Sequence, residues 1–485
     1  MAVFDLLHEP WIPVLWANGK VGRVGIEDSL RQAGRIRQIA ASNPMDRLAI
    51  LRFLLALLYW CKGGPPRHAP AALGDPFPPD WFHKLDENRD CFDLLGESKR
   101  FYQCAVSEKT ERLSANYLIH EIPTGTNKWH FRHSTDEVNG LCPACCAMGL
   151  LRLPLFATSG GRGKPPGVNA KPPLYVVPLG ASLAATLRLS WRPASNLGTP
   201  AWEKPDLQLP RTGEVPLLVG LTWLPRRVWL DSPQEPETAC ISCGRMGRLV
   251  RLCVFAGIGS TRTGEGGPGR SWRDPHVMYS RTRQGDTASL HASDALGARD
   301  AAAGQWATIM AAMCGGQESV NAAQQVISGP QAENAKVHAW VVGFSTVQND
   351  KYVEAMERLL PFPGSPELRT ESLERIERWQ EQARRMEKRI GMSKINSAAA
   401  LAAVRPVVEG KVSAHMEELL GGADAAWERA ADEYRSMMRA IGRSLSPGFT
   451  TAVLERRRQI GHIVPDVRPR SRASGEPDRK KRGNR

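Results

Sequence analysis

Apolar and polar positions divide the chain into blocks with strand or helix character. Near the N-terminus, apolar residues alternate up to Val14, and prolines flank Trp11-Ile12, which predicts an edge strand with 21–26 as its hairpin partner. Asn43-Pro44 is typical of a helix start, with Asn43 as the N-cap. The helix expected over 45–59 is apolar around most of its circumference, so we expect it to be buried.

The middle of the chain alternates strand-like blocks with loops rich in proline or glycine. The expected strands are 174–178, 183–191, 228–230, 249–255 and 337–344. The stretch from 257 to 273 is rich in glycine and arginine and has few apolar residues. It is therefore expected either to be solvated or to lie on a polyanion.

Beyond residue 366 the pattern is helical, in five blocks between 372 and 460 joined by short loops, which is typical of a helical bundle. The last twenty residues lack apolar periodicity, which is typical of disorder. The predicted fold class is α+β. We expect a mixed N-terminal domain over 1–363, a four-helix-type bundle over 367–462, and a basic tail over 465–485.

Composition places the chain among soluble globular proteins, with 42% apolar and 24% charged residues. The net charge is +14, of which residues 466–485 contribute +5, so nucleic acid is a candidate partner. The longest near-apolar run has twelve residues, and a membrane span needs roughly 20. No signal peptide is recognised. Ten cysteines, four of them in CxxC pairs, fit a reduced compartment better than a disulfide framework, so we expect a cytoplasmic protein.

Two CxxC motifs carry the strongest chemical signal. Cys142 and Cys145 form the first pair, and Cys240 and Cys243 form the second. Four thiolates fill a tetrahedral zinc site and leave no open position, so the predicted ion is structural, not catalytic. Cys146 in place of a neighbour, a redox pair and unmetallated thiols remain alternatives.

Three loops have candidate nucleic-acid chemistry. A basic and aromatic loop precedes the first motif, a glycine-rich loop follows it, and the stretch 257–273 carries Arg262 and Arg270. The glycine-rich loop allows close approach of its backbone to a phosphate chain and adds two cations, although a plain surface turn would explain it as well. Its candidate residues are Gly160, Gly161, Arg162, Gly163 and Lys164.

Enzyme motifs are weak by comparison. The chain has no H-E-x-x-H, P-loop or G-x-S-x-G motif. Histidines 120, 130 and 133, near acidic residues 121 and 136, would suit a second metal or acid–base site, but loop histidines beside aromatic residues are the more common explanation. A metal-dependent nuclease using His130, His133, Asp136 and Glu137 remains an alternative. A zinc-stabilised general RNA-binding assembly factor is another.

Several motifs in order resemble one family. They are FDLLHEPWIPV, ASNPMDRLAILRFLLALLYW, CPACC with its glycine-rich loop and KPPLYVV, CISCG, and the terminal helical blocks. Together they resemble the large subunit of the type I-E CRISPR Cascade surveillance complex, the CasA family. The resemblance covers almost the whole chain.

The resemblance implies a non-enzymatic role in antiviral defence. Members of this family bind beside the 5′ handle of the crRNA and recognise the protospacer-adjacent motif (PAM) in double-stranded DNA. They wedge the duplex open to begin R-loop formation and recruit a helicase-nuclease. The expected partners are crRNA, target DNA, the backbone, handle-binding and small Cascade subunits, and that effector.

The resemblance also implies residue roles. The glycine-rich loop would face the minor groove, and Val347, Gln348 and Asn349 would form a wedge. A loop before the first CxxC would contact the crRNA handle and a neighbouring subunit; its residues are Asn127, Lys128, Trp129, His130 and Phe131. The family also uses a lysine beyond the second CxxC motif. This chain has none there, so Arg262 or Arg270 would substitute, and the preferred DNA motif is left open.

Overall fold

The computed structural model describes most of the first 361 residues. The described ranges are 4–65, 74–97, 99–107, 109–120, 140–158, 163–169, 172–210, 212–258, 270–281, 287–289, 338–347 and 351–361. Beyond these, only Glu374, Arg429, Asp432 and Ser436 are described, and each is helical. Helices and strands are mixed along the chain, as the predicted α+β class requires.

Six α-helices lie in the described ranges, with short 3-10 turns at 79–82, 89–92 and 115–118. The helices are α1 (Ile26–Arg31), α2 (Pro44–Lys62), α3 (His83–Glu87), α4 (Pro143–Phe156), α5 (Leu183–Ser190) and α6 (Leu217–Thr222). The strands up to the second CxxC motif are β1 (Ile12–Trp16), β2 (Val21–Val24), β3 (Ile36–Ile39), β4 (Leu113–Ser114), β5 (Tyr175–Leu179), β6 (Gly213–Glu214), β7 (Arg226–Leu230) and β8 (Gln234–Ala239). Those after it are β9 (Met246–Leu249), β10 (Leu252–Gly257), β11 (Arg270–Ser271), β12 (Tyr279–Arg281), β13 (Thr287–Ser289), β14 (His338–Val347) and β15 (Lys351–Pro361).

Three three-stranded sheets organise the described residues, in the orders β2-β1-β3, β4-β10-β7 and β15-β14-β5. The predicted hairpin of β1 and β2 is confirmed, but the prediction that β1 is an edge strand is wrong, because β3 pairs with its other side. Pro13 is tolerated in this central strand because it lies opposite the end of β3. Its carbonyl accepts a hydrogen bond from the amide of Ala40, the residue just after β3. The missing N–H of Pro13 therefore falls beyond the β3 ladder.

Helix α2 is the buried helix that the sequence predicted. Asn43 caps it, since the Asn43 side chain accepts a hydrogen bond of 2.8 Å from the Met45 amide, and Pro44 is the first helical residue. Fourteen of its nineteen residues are buried. It packs against α4, α5 and α6, which explains why almost every face is apolar.

Two predicted elements need correction. Residues 183–191 were expected to form a strand, but Leu183–Ser190 forms α5, capped by the Ser182 hydroxyl, which accepts from the Ala185 amide at 3.2 Å. The strand expected over 337–344 exists as β14 but continues to Val347, and it forms a long antiparallel hairpin with β15, which the sequence did not indicate. Only three residues, 348–350, connect the two strands.

The chain divides into two compact units. One consists of Met1–Ala295 with Gln317–Gly364, and the other of Leu296–Gly316 with Ser365–Arg485. Nearly all of the second unit lies outside the described residues. The helical bundle over 367–462, the tail over 465–485 and the domain boundaries therefore stay predictions.

A fully buried ion pair joins α2 to the segment before β12. The Arg52 guanidinium donates to Asp274 Oδ1, and the side chains are 1% and 0% exposed. Asp274 Oδ1 also accepts from the His276 amide at 3.0 Å, and Asp274 Oδ2 accepts from the Asn169 amide group at 2.9 Å. Burial by itself would raise the pKa of Asp274, but Arg52 and Asn169 outweigh it and hold that pKa below its usual value.

In the part of the chain that the structure describes, no helix combines the length and the apolar character needed to cross a bilayer.

We predict that Asp274→Ala destabilises the protein by about 3–5 kcal/mol, because it leaves a buried guanidinium without its carboxylate. Since the pKa of Asp274 is held low, the contribution of the pair is present at neutral pH and is lost as pH falls through the folded-state pKa. Urea unfolding followed by tryptophan fluorescence measures the loss. The double variant Arg52→Met/Asp274→Leu removes both charges and should recover most of the stability. A double variant as unstable as Asp274→Ala would show that the ion pair is not the cause.

Candidate metal centre and nucleic-acid interface

The four predicted cysteine ligands form one cluster. The Sγ atoms of Cys142, Cys145, Cys240 and Cys243 all lie within 4.8 Å of one another. The Cys142 and Cys243 sulfurs are 3.6 Å apart. In a tetrahedral site with Zn–S bonds of ~2.3 Å the sulfurs are about 3.8 Å apart. The cluster therefore has the size and the ligand chemistry of a structural zinc site and could hold a metal ion.

The first CxxC motif lies at the start of α4. Cys142 is the N-cap residue, Pro143 is the first helical residue, and Cys145 lies within the first turn. The unpaired amides of a helix N-terminus favour negative charge, which suits thiolate ligands of a bound cation. The Cys142 amide donates to the Cys240 sulfur at 3.3 Å, which links the two motifs directly.

The second motif forms the turn between β8 and β9. The Cys240 amide donates to the Arg245 carbonyl and the Gly244 amide donates to the Cys240 carbonyl, both at 2.8 Å. The Ile241 amide donates to the Gly140 carbonyl at 3.3 Å. This hairpin is therefore held against the residues that lead into α4.

The pKa values of Cys145 and Cys240 shift in opposite directions. Hydrogen bonds from Cys142 and Cys145 hold the pKa of Cys240 far below its ordinary value. The hydrogen bond with Cys142, the hydrogen bond with Cys240 and burial together raise the pKa of Cys145 well above it. Neighbouring thiolates repel one another. A bound divalent cation would let all four cysteines act as thiolate ligands.

Two sequence alternatives are less well supported by the geometry. Cys146 is fully buried, is outside the cluster, and its Sγ lies 3.8 Å from the Leu141 carbonyl oxygen. His120 lies against the ring of Phe156, and burial lowers its pKa to about 3, so its imidazole is neutral at physiological pH. The other residues of the suggested acid–base or nuclease site, 121, 130, 133, 136 and 137, lie outside the described residues.

The base of the glycine-rich loop is closed by backbone hydrogen bonds. The loop begins after α4 ends at Phe156. The Gly167 amide donates to the Ala157 carbonyl at 2.7 Å, and the Val168 amide donates to the Pro154 carbonyl at 3.2 Å. The end of the loop is thereby held against the end of the helix.

A buried arginine fixes both stems of this loop. Arg226, at the start of β7, is 4% exposed and donates to the carbonyls of Thr158 before the loop and Pro165 after it. Burial lowers the pKa of Arg226 to about 10, so the guanidinium remains charged at neutral pH. No sequence motif marks Arg226, and its role was missed because its partners lie more than sixty residues away.

The stem of the basic stretch touches the stem of the glycine-rich loop. Gly257 ends β10, and a Cβ atom added to it would lie 2.2 Å from the Gly163 carbonyl oxygen. The Trp272 ring nitrogen donates to Asn169 at 3.0 Å. Both ends of the segment 259–269 are therefore next to the C-terminal stem of the glycine-rich loop.

Phe156 connects the stems of three predicted sites. Its ring centroid is 4.9 Å from that of Phe344 on β14, 6.2 Å from Tyr175 on β5 and 6.4 Å from His120. Residue 120 precedes the predicted crRNA loop, Phe156 precedes the glycine-rich loop, and Phe344 lies three residues before Val347. The function of Phe156 was missed in the sequence, where it is one apolar residue in an apolar helix.

The structure describes only some of the predicted contact residues. Gly163, with φ of 76°, and Lys164 lie in the stem of the glycine-rich loop. Val347 ends β14 opposite Lys351, and Arg270 starts β11 opposite Gly213. The remaining predicted residues lie outside the described residues: Gly160, Gly161, Arg162, Gln348, Asn349, Arg262, Asn127, Lys128, Trp129, His130 and Phe131.

A family model for the CRISPR-associated protein Cse1 matches residues 5–465, nearly the whole chain. The chain belongs to the Cse1 family. The family resemblance found in the motifs is thereby confirmed. CasA/Cse1 of Thermus thermophilus is 32% identical over 219 residues. The aligned part spans 42% of this chain and 43% of that relative, which is less than half of its length.

Solved structures of Cse1 proteins have the same fold. Thermus thermophilus CasA (Cse1) is 20% identical with a TM-score of 0.68, and Thermobifida fusca Cse1 is 17% identical with a TM-score of 0.68. In both comparisons 96% of this chain and 99% of the other chain are covered. A chain of a CRISPR RNA-guided surveillance complex is 16% identical, with a TM-score of 0.64 over 96% of this chain and 98% of that chain.

We predict that Cys142→Ser removes the bound metal, because it deletes one of four ligands and the α4 N-cap thiolate. Metal content by inductively coupled plasma mass spectrometry should fall from about one zinc per chain to well below it. Thermal unfolding should shift to lower temperature, because a metal held by both CxxC motifs would join the β8–β9 hairpin to α4. Cys146→Ala is the matched control and should keep the metal. Loss of zinc in Cys146→Ala but not in Cys142→Ser would move the ligand set to Cys146.

Proposed function

We propose that the chain is the large subunit of an RNA-guided CRISPR surveillance complex. In this role it recognises the PAM in double-stranded DNA, opens the duplex and provides the docking surface for a helicase-nuclease. Membership of the Cse1 family and the shared fold with a chain of a CRISPR RNA-guided surveillance complex support the proposal. The chain itself acts in antiviral defence in the cytoplasm without catalysing a reaction.

The packing around Phe156 supports the proposal independently of family membership. The stems of the predicted crRNA loop, PAM loop and wedge meet around Phe156, with Phe344 and His120 against its ring. A PAM reader must hold the duplex and its opening element in a fixed relation, because an error of a few ångströms would place the wedge at the wrong base step. A shared aromatic support supplies such a relation.

The glycine-rich loop is the proposed PAM reader. Glycines at 160, 161 and 163 let backbone amides approach the floor of the minor groove, and Arg162 and Lys164 add charge. The minor groove distinguishes mainly A·T from G·C pairs, so such a loop reads a short and partly degenerate motif. Arg226 stiffens the loop by holding the carbonyls of Thr158 and Pro165.

The tip of the β14–β15 hairpin is the proposed wedge. Its ladder runs from His338 to Val347, and β5 supports it from the other side. Unstacking one base step costs a few kcal/mol, so the wedge needs a stiff base. After opening begins, guide–target pairing replaces the lost DNA pairs at nearly equal free energy, so the wedge has to act only at the first steps.

The remaining surfaces are assigned to the partners. Residues 127–131 contact the crRNA handle and a neighbouring subunit, and Arg262 or Arg270 takes the place of the absent lysine at the DNA motif. The backbone, handle-binding and small subunits complete the complex. Zinc in the cysteine cluster is structural and keeps the β8–β9 hairpin against the start of α4.

Duplex retention by a crRNA-loaded subcomplex tests the proposal. The target is flanked by varied trinucleotides, and the assay is done with and without this chain. Flank-dependent retention that requires the chain is the expected result. Gly160→Val and Gly161→Val should reduce the discrimination between flanks about tenfold, because Cβ atoms prevent close approach.

Gly247→Val is the matched control, since a Cβ atom at Gly247 meets nothing within 4 Å. It should discriminate between flanks as the unmodified chain does. Retention that ignores the flank, or that needs no guide complex, would argue for a general RNA- or DNA-binding protein. Metal-dependent cleavage of the duplex by the purified chain would argue for the nuclease alternative.

We predict that Gln348→Ala leaves complex assembly and PAM binding intact but slows R-loop formation about tenfold, because the proposed wedge loses the side chain that enters the base stack. Stopped-flow fluorescence of 2-aminopurine placed beside the PAM measures the opening. The exposed Gln208→Ala serves as the control. Equal opening rates for Gln348→Ala and Gln208→Ala would rule out Gln348 as the wedge.

A further inference from the structure

A polar and aromatic cavity of about 240 Å³ lies beside the stem of the basic stretch. Its walls come from Tyr59, the segment 192–196, residues 214, 215 and 217, and residues 272–275 and 279. Small-molecule sites typically measure ~300–1,000 Å³, so this cavity is at the small end and would hold one nucleotide unit rather than two.

The cavity is preformed, because buried hydrogen bonds fix its walls. Asp274 lies in its lining and is held by Arg52 and Asn169. The Tyr279 hydroxyl accepts from the Asp274 amide at 2.9 Å, and the Tyr59 hydroxyl accepts from the Arg192 amide at 2.7 Å. A ligand would therefore meet walls that need little ordering on binding.

Trp272 has a fixed position in the wall. Its ring nitrogen donates to Asn169 at 3.0 Å, and a Cβ atom added to Gly220 would lie 2.2 Å from its six-membered ring. Only glycine at 220 allows this contact. Trp272 and Tyr279 are, with the buried Tyr59, the three aromatic residues of the lining, and aromatic side chains are the usual stacking partners of unpaired bases.

The charged lining fits one phosphate. Arg192 and Arg273 line the cavity together with Glu214, while the charge of Asp274 is balanced by the buried Arg52. The net charge of the lining is therefore +1, which matches one phosphodiester group. Glu214 is an exposed acceptor that suits an exocyclic amino group of a base.

We propose that this cavity binds one unpaired nucleotide, with the base against Trp272 and Tyr279 and the phosphate on Arg273 and Arg192. The ring walls, the single net charge and the volume carry this inference without reference to the complex. That the nucleotide belongs to a DNA strand displaced from the opened duplex rests on the proposed function.

Titration of the full-length chain with deoxynucleoside 5′-monophosphates tests the site. Saturation-transfer NMR should give saturable binding that Ser195→Trp abolishes by filling the cavity from an exposed position. Arg273→Gln should weaken the monophosphates about tenfold but leave the matching nucleosides unchanged, since only the phosphate contact is lost. Arg37→Gln, an exposed arginine on β3, is the matched control and should bind as the unmodified chain does.

Three results would overturn the proposal. They are the absence of saturable binding of any monophosphate, equal binding by Ser195→Trp, and displacement of the nucleotide by inorganic phosphate at equal concentration. Because this titration uses the chain alone, its outcome is independent of PAM recognition.

The source of the nucleotide is assigned in the assembled complex with 5-iododeoxyuridine or 5-iodouridine in one strand at a time. Crosslinks to Trp272 or Tyr279 from the displaced DNA strand are the expected result, and crosslinks from the crRNA would assign an RNA nucleotide to the same site. Monophosphate binding by the isolated chain without a crosslink from either strand would assign a free nucleotide.

Discussion

The buried pair of Arg52 and Asp274 is the interaction on which the arrangement of the candidate surfaces depends. Taking two charges out of water costs several kcal/mol per ion, and hydrogen bonds must offset that cost. Asp274 obtains them from the His276 amide and from Asn169, and its ion pair with Arg52 fixes the segment 272–279 relative to α2. Asn169 in turn follows the glycine-rich loop and accepts from Trp272. The buried ion pair on α2 thus sets the position of two loop stems and of the nucleotide-sized cavity.

Helix α4 provides the second constraint, because it joins the cysteine cluster at one end to the loop stems at the other. Cys145 and Phe156 are eleven residues apart, about 17 Å along the helix axis. The Arg152 side chain on α4 donates a hydrogen bond of 2.6 Å to Asp46, which holds α4 against α2. The predicted contact residues lie on loops, and the rigid helix positions the stems of those loops, which is the usual arrangement in binding sites.

The features that sequence predicted well depend on local chemistry. Asn43-Pro44 predicted the start of α2 because cap and first-turn preferences involve neighbouring atoms, and the paired CxxC motifs predicted a cluster because four thiolates suit one ion. Residues 183–191 misled because Leu187, Leu189 and Trp191 alternate like a strand, while Ser182 and the alanines after it indicated a helix. Strand β15 was missed although only three residues separate it from β14, because charged residues interrupt its apolar pattern. The Arg52–Asp274 pair was missed because it joins residues 222 apart. Short-range rules do not select among such partners.

The contact between Gly257 and Gly163 bears on how an arginine could replace the lysine that the family uses beyond the second CxxC motif. A side chain at 257 would collide with the Gly163 carbonyl, so the stems of the basic stretch and the glycine-rich loop can touch only while position 257 lacks a Cβ atom. The segment 259–269, which carries the candidate cation, therefore follows a stem that contacts the proposed PAM loop. On the proposed function, an arginine has no need to occupy the position of the family lysine. It only has to reach the same groove from a neighbouring stem, and its planar guanidinium enters a narrow minor groove well. The substitution would then change which flanking sequences are preferred while the mode of duplex recognition stays the same.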